Sequence, residues 1–104
     1  MRQILAADGT LVADSPLEIV DVRRLYRSMV TARLFDCKAT ALQKQGRLAT
    51  YAPFEGQEAA QIGSAAVLDP ADWLVGTYRD AAAMWMQGYP WASLIAWRSG
   101  DERG

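Results

Sequence analysis

The chain has 104 residues, 51% of them apolar, with 11 basic against 12 acidic residues and a formal net charge of -1. That length buries one modest core and not two, so the sequence is one domain or a piece of a larger one, and the near-neutral balance lacks the electrostatic footprint of a nucleic-acid binder. With no histidine and one cysteine, Cys37, the chain alone cannot build a histidine general base, a Ser-His pair, a histidine or thiolate metal site, or an internal disulfide.

Residues 1–20 read as an N-terminal arm. In "ILAADGTLVAD" two short apolar runs flank Asp8-Gly9, a dipeptide that favours the positive-φ turn of a two-residue hairpin. The opening "MRQILAADGT" lacks the continuous apolar run of a signal peptide, so a reducing, cytoplasmic setting is expected. No apolar stretch approaches the roughly 18 to 20 residues that cross a bilayer, and no membrane is expected as a partner.

Residues 21–104 read as helical. From Asp21 to Gln45 the sequence has no Pro or Gly, and Val22, Leu25, Tyr26, Met29 and Val30 recur at helical spacing. Lys44 suits the C-terminal dipole and Gly46 supplies the stop. Projected onward, the buried stripe of Val22, Leu25 and Met29 brings Arg33 and Asp36 onto the same face, where they form either an ordinary surface pair or a buried ion pair or partner contact. Leu34, Phe35 and Leu42 point elsewhere on the wheel, which implies neighbours on more than one side. After the loop "GRLATYAPFEGQE" a second helix is expected from Gln57 to Leu68. Its small residues Ala59, Gly63 and Ala66, with Ala60 and Ser64 beside them, suit close backbone approach inside a larger assembly. Asp69 and Pro70 open one short turn, a third helix runs from Asp80 to Gln87 and stops at Gly88, and a fourth follows Pro90 to Gly100. Trp73, Trp85, Trp91 and Trp97 read as core or interface anchors.

Two polar, glycine-containing loops lead into helices: "YAPFEGQEAAQ" and "GTYRDAAAM". A helix N-terminus leaves backbone N–H groups unpaired and favours an anion, and an arginine beside it adds a two-pronged donor matched to phosphate oxygens. Arg79 is so placed, with the Tyr78 hydroxyl next to it. The same residues admit a plain structural reading, in which Asp80 caps the helix, Arg79 pairs with Asp72 and Tyr78 fills a core. Tyr51 either lines a pocket or packs.

The ordered series Arg-x-x-Asp on the long helix, "QGRL", "YAP", "GQEA" and "YRD", running from about Leu25 to Gly100, resembles the N-terminal part of the alpha subunit of thiamine-diphosphate-dependent 2-oxo acid dehydrogenases. The likeness is to the pyruvate type, with the branched-chain type close behind. The resemblance implies that this portion is mainly α, while the complete subunit is α/β with the thiamine diphosphate-binding fold. It implies oxidative decarboxylation of a 2-oxo acid with acyl transfer to a lipoyl group on the acyltransferase core, by a heterotetramer of two alpha and two beta subunits. Thiamine diphosphate and Mg2+ would lie at the alpha/beta interface. On that resemblance Tyr78 and Arg79 match the family's Tyr-Arg pair, whose arginine contacts the diphosphate, Thr77 helps shape the cofactor site, and Tyr51 borders the substrate pocket.

The chain also departs from the family pattern. Ala49-Thr50-Tyr51 stands where relatives often read Gly-Phe-Tyr, and Ala81 and Ala82 stand where some carry histidine or glycine. The Gly-Asp-Gly magnesium motif and the downstream histidine are absent from these residues, and the glutamate that activates the aminopyrimidine belongs to the beta subunit. By that pattern the metal ligands lie outside this segment, none of its own residues is catalytic, and the segment alone is inactive. The alternative reading is a stand-alone, non-catalytic helical interaction module derived from the same family.

Overall fold

The computed structural model describes residues 3–103, which form four helices in chain order: α1 Ile19–Lys44, α2 Glu58–Ala65, α3 Ala81–Met86 and α4 Trp91–Arg98. Among the described residues the one β pairing outside named strands is an antiparallel bridge between Leu5 and Leu11. The portion is therefore mainly α, as expected.

The arm does turn back at Asp8-Gly9, but not through a two-residue turn. The Gly9 N–H donates to the Ala6 carbonyl at 3.0 Å, and the Ala6 N–H donates to the Thr10 carbonyl at 2.8 Å, so residues 7–9 form a three-residue loop. A two-residue type I′ turn needs positive φ at both central positions, and only Gly9, at φ 86, supplies it. Asp8 instead turns its carboxylate onto the Thr10 N–H and hydroxyl, at 3.0 and 2.7 Å.

The absence of Pro and Gly lets α1 run unbroken for 26 residues. It ends with the Gly46 N–H on the Gln43 carbonyl and the Arg47 N–H on the Leu42 carbonyl, both at 2.9 Å. This is the paired 5→2 and 6→1 pattern of a helix closed by a left-handed residue, and Gly46 adopts it at φ 71. Leu25, Met29, Ala32, Phe35 and Asp36 face the rest of the chain, with Ala39 buried farther along. Two expectations are corrected here. Val22 is 40% exposed, because no neighbour reaches that end of the stripe, and Phe35 turns inward rather than elsewhere.

Around Phe35 an aromatic stack forms. Its ring lies 4.0 Å from that of Trp91 at 22°, and Trp91 lies 4.8 Å from Trp85 at 18°. Of the four tryptophans these two join the core, whereas Trp73 is 93% and Trp97 47% exposed. Phe54, Ile62 and Leu94 are the largest fully enclosed side chains. They meet the buried Ala81 and Ala82 of α3, whose small size brings the α3 backbone close to α2. On α2 the buried side is Glu58, Gln61, Ile62 and Ala65, while Ala59, Ala60, Gly63 and Ser64 are exposed.

Asp69 closes its expected single turn. The Asp69 N–H donates to the Asp72 carboxylate at 2.7 Å, and the Ala71 N–H donates to the Asp69 carboxylate at 3.0 Å. Helix α3 ends as α1 does, with Gly88 at φ 94.

Candidate functional site

The loop into α3 is folded on itself by Asp80. The Thr77 N–H and hydroxyl both donate to Asp80 Oδ2, at 2.7 and 2.8 Å, so Asp80 does not cap α3 as the plain structural reading expected. The cap comes from another helix. Gln61, 6% exposed on α2, accepts the Ala82 N–H through Oε1 at 3.0 Å and donates through Nε2 to the Arg79 carbonyl at 3.0 Å. One of the N–H groups at the start of α3 is thus engaged by protein, which shifts the case for an anion from the helix terminus to the arginine.

From the other side, an Arg98 guanidinium N–H donates to the Tyr78 carbonyl. The two carbonyls of Tyr78 and Arg79 are therefore held from α4 and α2, while their side chains are left for other uses. Tyr78 is 61% exposed and fills no core. The Arg79 guanidinium lies 5.6 Å from the Tyr78 ring centroid and makes no ion pair with Asp72 or any other carboxylate among the described residues. A half-buried arginine without a carboxylate beside an exposed tyrosine can take up an anion by charge-assisted, two-pronged hydrogen bonds.

The second loop, residues 46–57, is tied to α1. The Tyr51 hydroxyl donates to Asp36 Oδ1 at 2.7 Å, and the same oxygen accepts the Phe54 N–H at 3.0 Å. Burial first, and then the Asp36 carboxylate, push the Tyr51 phenol well above its ordinary range, so it stays a hydrogen-bond donor at neutral pH. Its ring meets Phe35 edge-on at 6.4 Å and 72°. Arg33 does not pair with Asp36. It reaches Glu58 at 2.5 Å and Glu55 at 3.4 Å, and Glu58 also accepts the Gly56 N–H at 3.0 Å. Both readings of Arg33 with Asp36 as a mutual pair are thereby replaced: each residue has its own partners across the loop.

Thr77, Tyr78 and Arg79 share one loop. Tyr51 stands on the other, held by Asp36. A surface hollow of about 410 Å³ is lined by other residues, among them Arg24, Leu68, Pro70 and Gln87. Among the described residues no group of three or more His, Cys, Asp or Glu side chains gathers to hold a metal. Nor is any helix there long and apolar enough to cross a membrane. Sequence reasoning missed Gln61 and Arg98, whose partners lie 18 to 21 positions away and leave no local signal.

Residues 26–104 match the family model described as the dehydrogenase E1 component. The chain belongs to the dehydrogenase E1 component family. It is 42% identical over 103 residues to the 3-methyl-2-oxobutanoate dehydrogenase subunit alpha of Mycobacterium tuberculosis, covering 92% of this chain and 28% of that protein. To the pyruvate dehydrogenase E1 component subunit alpha of Acholeplasma laidlawii it is 42% identical over 81 residues, 78% of this chain and 24% of the relative. To the protein of the same name from Bacillus subtilis it is 34% identical over 105 residues, 98% of this chain and 28% of the relative. The chain thus spans less than a third of the length of these relatives. The E1 match takes in all four of Tyr51, Thr77, Tyr78 and Arg79, and leaves the turned-back arm outside it.

Proposed function

We propose that this chain is part of the alpha subunit of a thiamine-diphosphate-dependent 2-oxo acid dehydrogenase, and that the loop of Thr77, Tyr78 and Arg79 forms one edge of its cofactor site. The observation that carries the reading is Arg79: a guanidinium without a carboxylate partner, on a loop whose backbone is fixed from two helices. Those residues fit an edge of a diphosphate site, since the cation and the exposed phenol are both donors and the backbone beneath them is already satisfied. Arg79 binds the diphosphate by its two-pronged donor set. Tyr78 hydrogen-bonds or stacks beside it. Thr77, whose hydroxyl is engaged by Asp80, acts by holding the loop in shape. Thiamine diphosphate, when bound, supplies the carbanion chemistry by which a 2-oxo acid loses carbon dioxide.

The Mg2+ ligands are expected outside this segment. The beta subunit completes the site in an alpha2beta2 heterotetramer, and a lipoyl-bearing acyltransferase core receives the acyl group. The substrate is pyruvate or a branched-chain 2-oxo acid, with Tyr51 bordering its pocket, and the setting is cytoplasmic. Relatives named for both acids support the substrate class without choosing between its members.

Calorimetry of the complete alpha subunit with its beta partner, Mg2+ and thiamine diphosphate tests the site. Arg79→Ala is expected to weaken cofactor binding by about 1.5 to 3 kcal/mol, the range for a hydrogen bond to a charged group. Arg79→Lys should fall between, because it keeps the charge and loses the fork. An affinity unchanged in Arg79→Ala removes this residue from the site.

A further inference from the structure

Asp36 is 2% exposed and has no cation paired with it among the described residues. A carboxylate that far from water needs strong donors, and Oδ1 has two, both from the loop of residues 46–57. Among the described residues no backbone–backbone hydrogen bond ties residues 48–53 to another element. Over that stretch, Asp36 is the polar tether to α1, and Arg33 takes over at Glu55 and Glu58. Anchoring the loop would need only the Phe54 N–H. The second donor is the side chain of Tyr51, which is thereby held at its hydroxyl by Asp36 and packed at its ring against Phe35.

We propose that Asp36 is a positioning residue that sets where Tyr51 stands, and through it the width of the substrate pocket and the preference among 2-oxo acids of different bulk. The proposal rests on the reading of Tyr51 as a pocket wall. One oxygen accepts both the Tyr51 hydroxyl and the Phe54 N–H, so the phenol is placed relative to the loop backbone rather than left to choose a rotamer. Burial of the phenol and its raised pKa keep it protonated and the tether intact at neutral pH.

The test uses the complete alpha subunit assembled with its beta partner and reads the ratio of kcat/KM for pyruvate to that for 3-methyl-2-oxobutanoate. Loss of folded enzyme lowers both values equally and leaves the ratio untouched, so the readout is blind to a merely structural role. Tyr51→Phe and Asp36→Ala are each expected to move the ratio about tenfold in the same direction, the scale of one charge-assisted hydrogen bond, and the double variant no further. Asp36→Asn, which keeps an oxygen acceptor for both donors, should stay within about twofold of the parent. If Asp36→Ala does not assemble, Asp36→Glu moves the acceptor by one methylene and should shift the ratio instead. A ratio moved by Tyr51→Phe but left at the parent value by Asp36→Ala or Asp36→Glu overturns the positioning role alone. A ratio unmoved by Tyr51→Phe overturns the pocket reading, and the positioning role with it.

Discussion

Glu58 opens α2 with its side chain 7% exposed, and its carboxylate is met by Arg33 from α1 and by the Gly56 N–H. The Arg33 hydrogen bond is the main cause that holds its carboxyl below the usual range, against the opposing effect of burial. A carboxyl whose native pKa is depressed stabilises the fold fully above its unfolded value, about 4.3, and loses that contribution as pH falls through the lower native value. Glu58→Gln is therefore expected to cost about 1 to 2 kcal/mol at pH 7, a figure kept small because Arg33 is 43% exposed. The difference from the parent should shrink as pH drops below about 4. Urea denaturation of both proteins at the two ends of that range checks it, and a gap that does not change with pH contradicts it. A first-turn glutamate is favourable to the helix dipole. Its partner 25 positions away was not legible in the sequence, because the spacing of residues along one helix carries no information about a second. The same limit hid the Gln61 clamp on α3 and sent Arg33 and Asp36 to each other when each has partners on the neighbouring loop.

At the scale of elements, the stops were legible and the faces only partly so. Gly46 and Gly88 mark helix ends by a local requirement, a left-handed residue after the last turn, and the structure has both there. At Gly88 an added Cβ would meet nothing within 4 Å, so the penalty of a side chain is conformational alone. Gly88→Ala should cost about 1 to 2 kcal/mol, seen as a lower urea midpoint with an unchanged slope, and an unshifted midpoint counts against the left-handed stop. The buried stripe of α1 was harder to read, because Val22, Tyr26 and Val30 have the right periodicity but lack a covering neighbour, whereas Phe35 gains one in Trp91. Hydrophobic spacing says which residues can share a face, and only tertiary packing decides which face is covered. Of the candidate site, the Tyr78-Arg79 pair was legible through the ordered motifs. The contacts that fix its backbone, from Gln61 and Arg98, were not.

The molecule as a whole carries more surface than its mass requires. Its accessible area is 7532 Å², against about 5,800 Å² for a compact monomer of 11.4 kDa. The radius of gyration is 15.6 Å, against about 13 Å for a compact chain of this length. Much of the excess is apolar: Leu34, Val67, Trp73 and Val75 are between 66 and 93% exposed. Exposed apolar residues of this size mark contact surfaces, as both the subunit reading and the interaction-module reading require. Under the proposed function, Arg79 is the cation that the loop of residues 77–79 offers at the edge of the cofactor site. The most direct measurement is a crystal structure of the complete alpha and beta assembly with thiamine diphosphate and Mg2+ bound. The account predicts an Arg79 guanidinium nitrogen about 2.7 to 2.9 Å from a diphosphate oxygen, with Tyr78 beside the cofactor. A diphosphate seated away from residues 77–79, with Arg79 in solvent or paired to a carboxylate, would contradict it.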